Sequence, residues 1–494
     1  MNANDSFILR HRTDDVHRLA LEPVPEGVDI KYCLQQIEGW QTALRKLPRW
    51  ADTEGIIFPP RLSMEQCSSQ HTASYKCQVV ERLFPEPESR GRMADLTGGF
   101  GVDFSFIAPL FQEAVYVEEQ PSLCELARHN LPLLGLPKAK VFTPDEAPTD
   151  IDYTLIYLDP SRRNVSGRKV VALEECSPNV VALQDYLLSK AETVLVKLSP
   201  MLDITLALKK LKGVREIHTI GVEGECKELL FVLSSHSGGN AKTLPETIPP
   251  AGGNPKPSRR QFRQLAEMPN RRENETASWR KRQTQPETIP PAGGNAKPSR
   301  KQFRQLAETL NPAGNNSASW RKRQTLPETI PPAGGREITF HCANLGTESR
   351  PFVCSQTERE TAPQILPENA EITGGFLHEP NACILKAGVQ EALAGQYNIM
   401  KLHPQSNLYF STHPLKGAQG LFRSFQIKAW SDFGKKGLRQ LLANLRQANL
   451  TIRNFPTSVA ALRKKLCLAE GGEDYLFATT NSKGQHILIH TLKI

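Results

Sequence analysis

Ala94-Asp-Leu-Thr-Gly-Gly-Phe-Gly-Val-Asp103, followed some sixty residues on by Leu155-Ile-Tyr-Leu-Asp-Pro-Ser-Arg-Arg163, decides how this chain is read. The first stretch is a short apolar strand running into a glycine turn that opens a helix from about Val102. Gly98, Gly99 and Gly101 let the backbone turn sharply and approach a ligand where a Cβ would clash. The helix start offers free N–H groups. Many tight strand-to-helix turns look alike, so the weight comes from the strands and acids spaced beyond the loop.

Ala114-Val-Tyr-Val-Glu118 reads as a second strand ending in a carboxylate, where an open α/β sheet bonds the two hydroxyls of a ribose. Lys138–Thr143 is a third strand, with Asp145 just past its end, and Tyr153–Leu158 a fourth, ending at Asp159-Pro160. Thr193–Leu198 is a fifth, ending at Ser199-Pro200, and Val214–Ile220 and Glu228–Leu233 form a closing hairpin. Helical segments such as Ser122–Leu134 fall between them. Alternation of this kind predicts a parallel sheet covered on both faces, with ligands beyond the carboxyl ends of its strands. Gly99, Glu118, Asp145 and Asp159 converge there.

The constellation resembles the class I S-adenosylmethionine-dependent methyltransferases. Asp95, Gly99 and Gly101 match that family's first motif, and Thr97 stands where its first glycine usually is. The competing dinucleotide-binding reading needs the spacing G-x-G-x-x-G, which Thr97-Gly-Gly-Phe-Gly101 does not supply. The resemblance implies a Rossmann-like, seven-stranded α/β sheet with an antiparallel last strand, over residues 89–237 and 336–360. It implies S-adenosylmethionine as cofactor, held by Asp95, Thr97, Gly98, Gly99, Gly101, Glu118 and Asp145.

Composition sets the frame around this. The 494 residues allow several domains. Met1-Asn-Ala-Asn-Asp lacks the apolar run of a signal peptide, and no stretch reaches the length of a membrane span. The ten cysteines show no C-x-x-C pair and no Cys/His cluster at zinc spacing, so the expectation is a cytoplasmic protein with reduced cysteines and no metal. The net charge of +9 is concentrated in residues 244–335, which carry sixteen Lys and Arg against seven Asp and Glu. The remainder is balanced.

That segment is an internal repeat. Leu244-Pro-Glu-Thr-Ile-Pro-Pro-Ala-Gly-Gly253 recurs from Gln285 and from Leu326, with a period of 41 residues. Rich in Pro, Gly, Asn and Arg, the copies lack an apolar face to stack, so residues 238–335 read as a disordered basic insert. It is either a tolerated insertion or a tethered arm that holds RNA non-specifically. It separates Glu228–Ser234 from Arg336–His341, read as neighbouring antiparallel strands, and should leave the sheet opposite the cofactor edge.

Residues 1–88 read as a helical domain forming a wall of the substrate cleft, with helical spacing over Tyr32–Leu44 and a capped helix start near Gln66. At the other end, the blocks Leu377–Gly388, Lys401–Tyr409, Asn449–Lys465 and Glu470–Thr479 resemble a bacterial methyltransferase family with a ferredoxin-like segment, here 361–420, and an α+β THUMP-like domain, here 421–494. THUMP domains proper bind RNA, so the resemblance implies an RNA substrate, rRNA or tRNA. Arg453, Arg463, Lys464 and Lys465 beside Phe455 are then candidates for RNA contact, phosphates needing cations and a base face an aromatic. Without the resemblance they read as a solvated helix face with Phe455 in the core.

Enzymes that methylate exocyclic amines of bases commonly carry Asp/Asn-Pro-Pro-aromatic after the fourth strand. Here the tetrad is Asp159-Pro160-Ser161-Arg162. By that resemblance Asp159 and Pro160 are the catalytic candidates, with Arg162 and Arg163 placed for a phosphate or a base face. The tetrad also resembles the Asp-Pro-Pro-Arg of enzymes making 5-methyluridine, but those need a cysteine nucleophile, and Lys197-Leu-Ser-Pro200 supplies none. A nitrogen acceptor is therefore expected. A protein or small-molecule acceptor, and a non-catalytic RNA-binding protein on the same fold, are the alternatives.

Overall fold

The computed structural model describes residues 2–148, 151–161, 173–235, 337–346 and 350–494. The repeat of 244–335 and the pair Arg162 and Arg163 lie outside the described residues.

Strands β1 (Arg92–Asp95), β2 (Glu113–Val117), β3 (Lys140–Phe142), β4 (Tyr153–Leu158), β5 (Ala191–Leu198), β6 (Val214–Val222), β7 (Glu225–Leu233), β8 (Thr339–Leu345) and β9 (Phe352–Ser355) make one sheet, ordered β3-β2-β1-β4-β5-β7-β6-β8-β9. The first five run parallel, and β7 returns antiparallel between β5 and β6. All six residues of β4 are buried, as a strand covered on both faces requires. Alternate residues feed opposite cores. Leu155 and Tyr157 pack under the helices Gln70–Leu83 and Val102–Ile107, while Ile156 and Leu158 pack with the helix Val180–Lys190.

Two expectations are corrected by this topology. The sheet has nine strands, because β8 and β9 extend it beyond the expected seven. The strand after the repeat also does not neighbour β7. β8 pairs parallel with β6, which stands between them. A hairpin keeps β6 beside β7, so the returning chain can only add at the free edge of β6. Leu233 pairs with Val194 and Val214 at the amino ends of β5 and β6, and β8 starts level with Glu216. The described strand ends at Leu233 and Thr339 thus lie at the edge of the sheet opposite the glycine loop.

The remaining strands, β10 (Phe376–Pro380), β11 (Met400–Lys401), β12 (Tyr409–Ser411), β13 (Phe422–Asp432), β14 (Asn449–Ile452), β15 (Asp474–Thr480) and β16 (His486–Lys493), form a second sheet, ordered β11-β12-β10-β13-β16-β15-β14. The boundary expected at residue 420 falls inside this continuous sheet, since β10 pairs with β13. Cys383, Ile384 and Ala387 of the helix Ala382–Ala387 join the core beneath β6 and β7, so the segment behind the first sheet is packed onto it. Among the described residues, no helix is long and apolar enough to cross a membrane.

Candidate active site

The glycine loop follows β1 and lies between the ends of β2 and β4. Asp95 pairs in register with Tyr116 and Tyr157, which puts Glu118 and Asp159 on either side of it. Gly99 and Gly101 take positive φ, +59° and +86°, a region closed to most side chains. Gly98 is glycine for a different reason. A Cβ there would meet the Tyr116 ring at 2.2 Å, and the Tyr116 hydroxyl donates to the Gly99 carbonyl at 2.5 Å.

Carboxylates on both sides fix the loop. Glu118 is 7 % exposed and accepts the Gly99 N–H at 2.7 Å and the Gln120 N–H at 2.8 Å. Burial raises its carboxyl above the ordinary range, against the backbone bonds that lower it. Asp95 is 1 % exposed and accepts both the N–H and the hydroxyl of Thr97, at 2.9 and 3.3 Å. Thr97 Oγ1 in turn accepts the Asp159 N–H at 2.6 Å. Where the related motif has a glycine, this chain therefore has a hydroxyl that ties the loop after β1 to the loop after β4. Asp145 lies exposed in the turn after β3.

Beneath Asp159 is a buried ionic network that the motif reading did not reveal. Lys197 of β5 donates to Asp159 Oδ2 at 2.5 Å and to Ser68 Oγ at 3.1 Å. Lys76, fully buried on the helix Gln70–Leu83, reaches Glu228 at 2.6 Å, Asp103 at 2.9 Å and Ser68 at 2.9 Å. Asp103 also accepts from Ser68 at 2.7 Å and from Tyr157 at 2.6 Å. The helical N-terminal segment, expected as a wall of the cleft, thus supplies Ser68 and Lys76 to the floor under Asp159. The available signal was a lysine in the otherwise apolar strand Val194–Leu198.

Burial acts to raise the Asp103 carboxyl, but Lys76 and Lys197 outweigh it and bring it down to about 2. A folded value below the unfolded one means stability that is present above about pH 4 and lost as pH falls toward 2. The expected contribution is about 2 kcal/mol. Asp103→Asn should accordingly flatten the acid limb of a chemical-denaturation series run from about pH 6 to about pH 2. An unchanged limb would mean that the network adds nothing to acid stability.

The basic C-terminal candidates divide. Arg463 is 18 % exposed and donates to the carbonyls of Ala448 and Ala469, at 3.0 and 2.9 Å, so it serves the fold. Arg453 is 42 % exposed and shares Glu379, which is 4 % exposed, with Arg423. Lys464 and Lys465 are exposed on the helix Val459–Leu466. Phe455 packs between Phe433 and His486, each ring centroid 4.9 Å away, in line with a core role. Glu174 pairs with Lys210 at 2.6 Å. A cavity of about 460 Å³ lies at the opposite edge of the sheet, lined by Arg92, Glu113, Asp152 and Lys190. Its charges pair with one another, Arg92 with Glu113 and Lys190 with Asp152, far from the loop chemistry.

Comparison with known proteins agrees with this geometry. The crystal structure of a proposed methyltransferase from Porphyromonas gingivalis W83 matches with a TM-score of 0.67 at 26 % identity, over 99 % of this chain and 97 % of that one. The chain carries the class I methyltransferase fold. Behind the methyltransferase sheet, residues 376–417 match a ferredoxin-like domain and residues 422–493 a THUMP domain-like family. The T. thermophilus 16S rRNA N2 methyltransferase matches with a TM-score of only 0.26 at 18 % identity, over 33 % of this chain and 43 % of that one, and carries no argument about substrate. Curated proteins gave no match.

Proposed function

We propose that this methyltransferase moves a methyl group from S-adenosylmethionine to a ring or exocyclic nitrogen of a base in RNA. The observation that carries the reading is the 2.6 Å bond from the Asp159 backbone N–H to Thr97 Oγ1, which ties the strand end bearing the acceptor-side residue to the cofactor-side loop. The cofactor fits the residues present. At Gly99 the nearest atom to a built Cβ is the Thr97 carbonyl at 3.7 Å, so the loop's outer side is open. The buried Glu118 carboxylate is of the type that binds a ribose diol, and Asp145 stands on the same edge, after β3. When bound, S-adenosylmethionine supplies an electrophilic methyl group on a sulfonium.

What this chain contributes is placement. In-line displacement depends on aligning acceptor and methyl group, so positioning carries much of the rate. Asp159 Oδ2 is committed to Lys197, which leaves Oδ1 and the backbone carbonyl before Pro160 to accept from a base N–H. Burial pushes the Asp159 carboxyl up, and the Lys197 charge opposes that, favouring the ionised, accepting form. Lys464 and Lys465 are proposed to hold RNA phosphates, and Arg162 and Arg163, which follow Asp159 closely in sequence, a phosphate or a base face.

Lys197→Met should raise the Asp159 carboxyl and move the acid limb of the rate profile to higher pH, with cofactor affinity kept within a few-fold. Lys197→Arg should restore much of the limb. A profile unmoved in Lys197→Met would limit Lys197 to the fold. The reading itself is tested by incubating the protein with labelled S-adenosylmethionine and total RNA from cells lacking it. Label in RNA supports the reading, and label only in protein or small molecules defeats it.

A further inference from the structure

Glu216 and His218 stand two residues apart on β6 and project from one face, and the parallel register sets His341 of β8 beside His218. The two imidazoles stack, with centroids 4.4 Å apart and planes 13° apart. Both turn Nε2 toward one carboxylate oxygen. Glu216 Oε2 is 3.0 Å from His218 Nε2 and 3.7 Å from His341 Nε2. Among the described residues this is the one group of three His, Cys, Asp or Glu side chains whose donor atoms lie within 4.8 Å of one another. The His341 Nε2 is buried without a hydrogen-bond partner, an unfavourable arrangement unless something else uses the nitrogen. On the other side, His218 Nδ1 lies 3.0 Å from the Tyr75 hydroxyl, the kind of outer partner that fixes the ring of a metal ligand.

We propose that Glu216, His218 and His341 bind a divalent transition-metal ion of the zinc class. Two imidazoles and a carboxylate are donors of the right softness, and they leave a fourth position for water. Donors around a tetrahedral ion at about 2.0–2.1 Å stand roughly 3.3 Å apart. The separations of 3.0 and 3.7 Å bracket that value and all three donor atoms lie within 4.8 Å of one another, so binding turns the stacked imidazoles toward a shared ion. Arg82 is the competing cation, bonded to both oxygens of Glu216 and reaching Oε1 at 2.9 Å. An ion on the remaining lone pair of Oε2 leaves the Oε1 bond in place, and Arg82 then orients the ligand carboxylate.

The role comes from the place. The three ligands sit on β6 and at the matching level of β8, with β7 standing between β6 and the strand β5 that carries Lys197. β8 is the first strand after the repeat, and Tyr75 and Arg82 belong to the helix Gln70–Leu83. The ion is a staple that fixes the returning chain and that helix to the sheet, and it takes no part in methyl transfer.

The test uses full-length protein without a polyhistidine tag, stripped with chelator and titrated with zinc chloride, or with cobalt(II) as a visible probe. The expected result is one ion per chain by elemental analysis after gel filtration, d–d absorption from cobalt, and a Tm raised by several degrees. His341→Ala and Glu216→Gln should each reduce retained metal to the buffer background. His341 Nε2 makes no hydrogen bond, so His341→Ala is expected to fold, and His341→Gln gives the same reading if it does not. No retained ion in the unaltered protein overturns the proposal. Retention undiminished in both His341 variants also overturns it, placing the ion on another group.

Discussion

Asp159→Ala is expected to abolish methyl transfer while S-adenosylmethionine still binds within a few-fold of the unaltered protein. The loss should be at least roughly 100-fold in kcat, the scale expected when an acceptor is no longer aligned. The two effects separate because the cofactor loop is held by Glu118 and Asp95, whereas Asp159 meets it through its backbone N–H on Thr97. Removing the carboxylate leaves that N–H in place. It also leaves Lys197 with Ser68 and Asp103 as partners, at 3.1 and 3.7 Å. Asp159→Asn separates the roles of charge and shape, since the amide can still accept from a base N–H. Stopped-flow or single-turnover rates with calorimetric cofactor affinities measure the split. Equal loss of rate and of cofactor binding would mean that Asp159 acts by holding the loop.

Glu118→Ala should have the complementary effect. It removes a buried carboxylate proposed to bond both ribose hydroxyls, for a loss of about 3 kcal/mol, roughly 100-fold in cofactor affinity. Glu118 also holds the N–H groups of Gly99 and Gln120, so part of any loss comes from a looser loop. Glu118→Gln keeps the size and an acceptor for one of those bonds. A Tm close to that of the unaltered protein with affinity still down would assign the loss to the ribose contact. Unchanged affinity by calorimetry in Glu118→Ala would take Glu118 out of the site.

The methyltransferase sheet was legible because each strand is a short apolar run bounded by turn residues. Tyr153–Leu158 was bounded to the residue, and the helix after the loop starts at Val102 as expected. Local pattern also marked Glu118 and Asp159, since each is an acid just past such a run. What pattern cannot carry is contact across distance. Lys76, Asp103, Lys197 and Glu228 come from four separate elements, and none has a neighbour in sequence that announces the network. His218 and His341 are separated by the whole repeat, so a search for metal-ligand spacing passes over them. The placement of β8 beside β6 was missed for a related reason: edge order depends on which edge is free, which the hairpin decides.

The C-terminal candidates teach the opposite lesson. Arg453, Arg463, Lys464 and Lys465 form a single basic cluster in the sequence, yet their roles differ. Arg463 folds back onto two carbonyls, while Lys464 and Lys465 face outward from the same helix. Position on a helix face, one residue apart, separates a structural arginine from lysines open to phosphate. Lys464→Glu combined with Lys465→Glu is therefore the informative change for RNA capture, with a flatter salt dependence expected.

Nucleoside mass spectrometry tests most directly whether the Asp159 site methylates RNA. RNA would be digested from cells with the protein, from cells without it, and from cells carrying Asp159→Ala. One methylated nucleoside should be present in the first and missing from the other two. Identical nucleoside profiles in all three would contradict RNA methylation at this site.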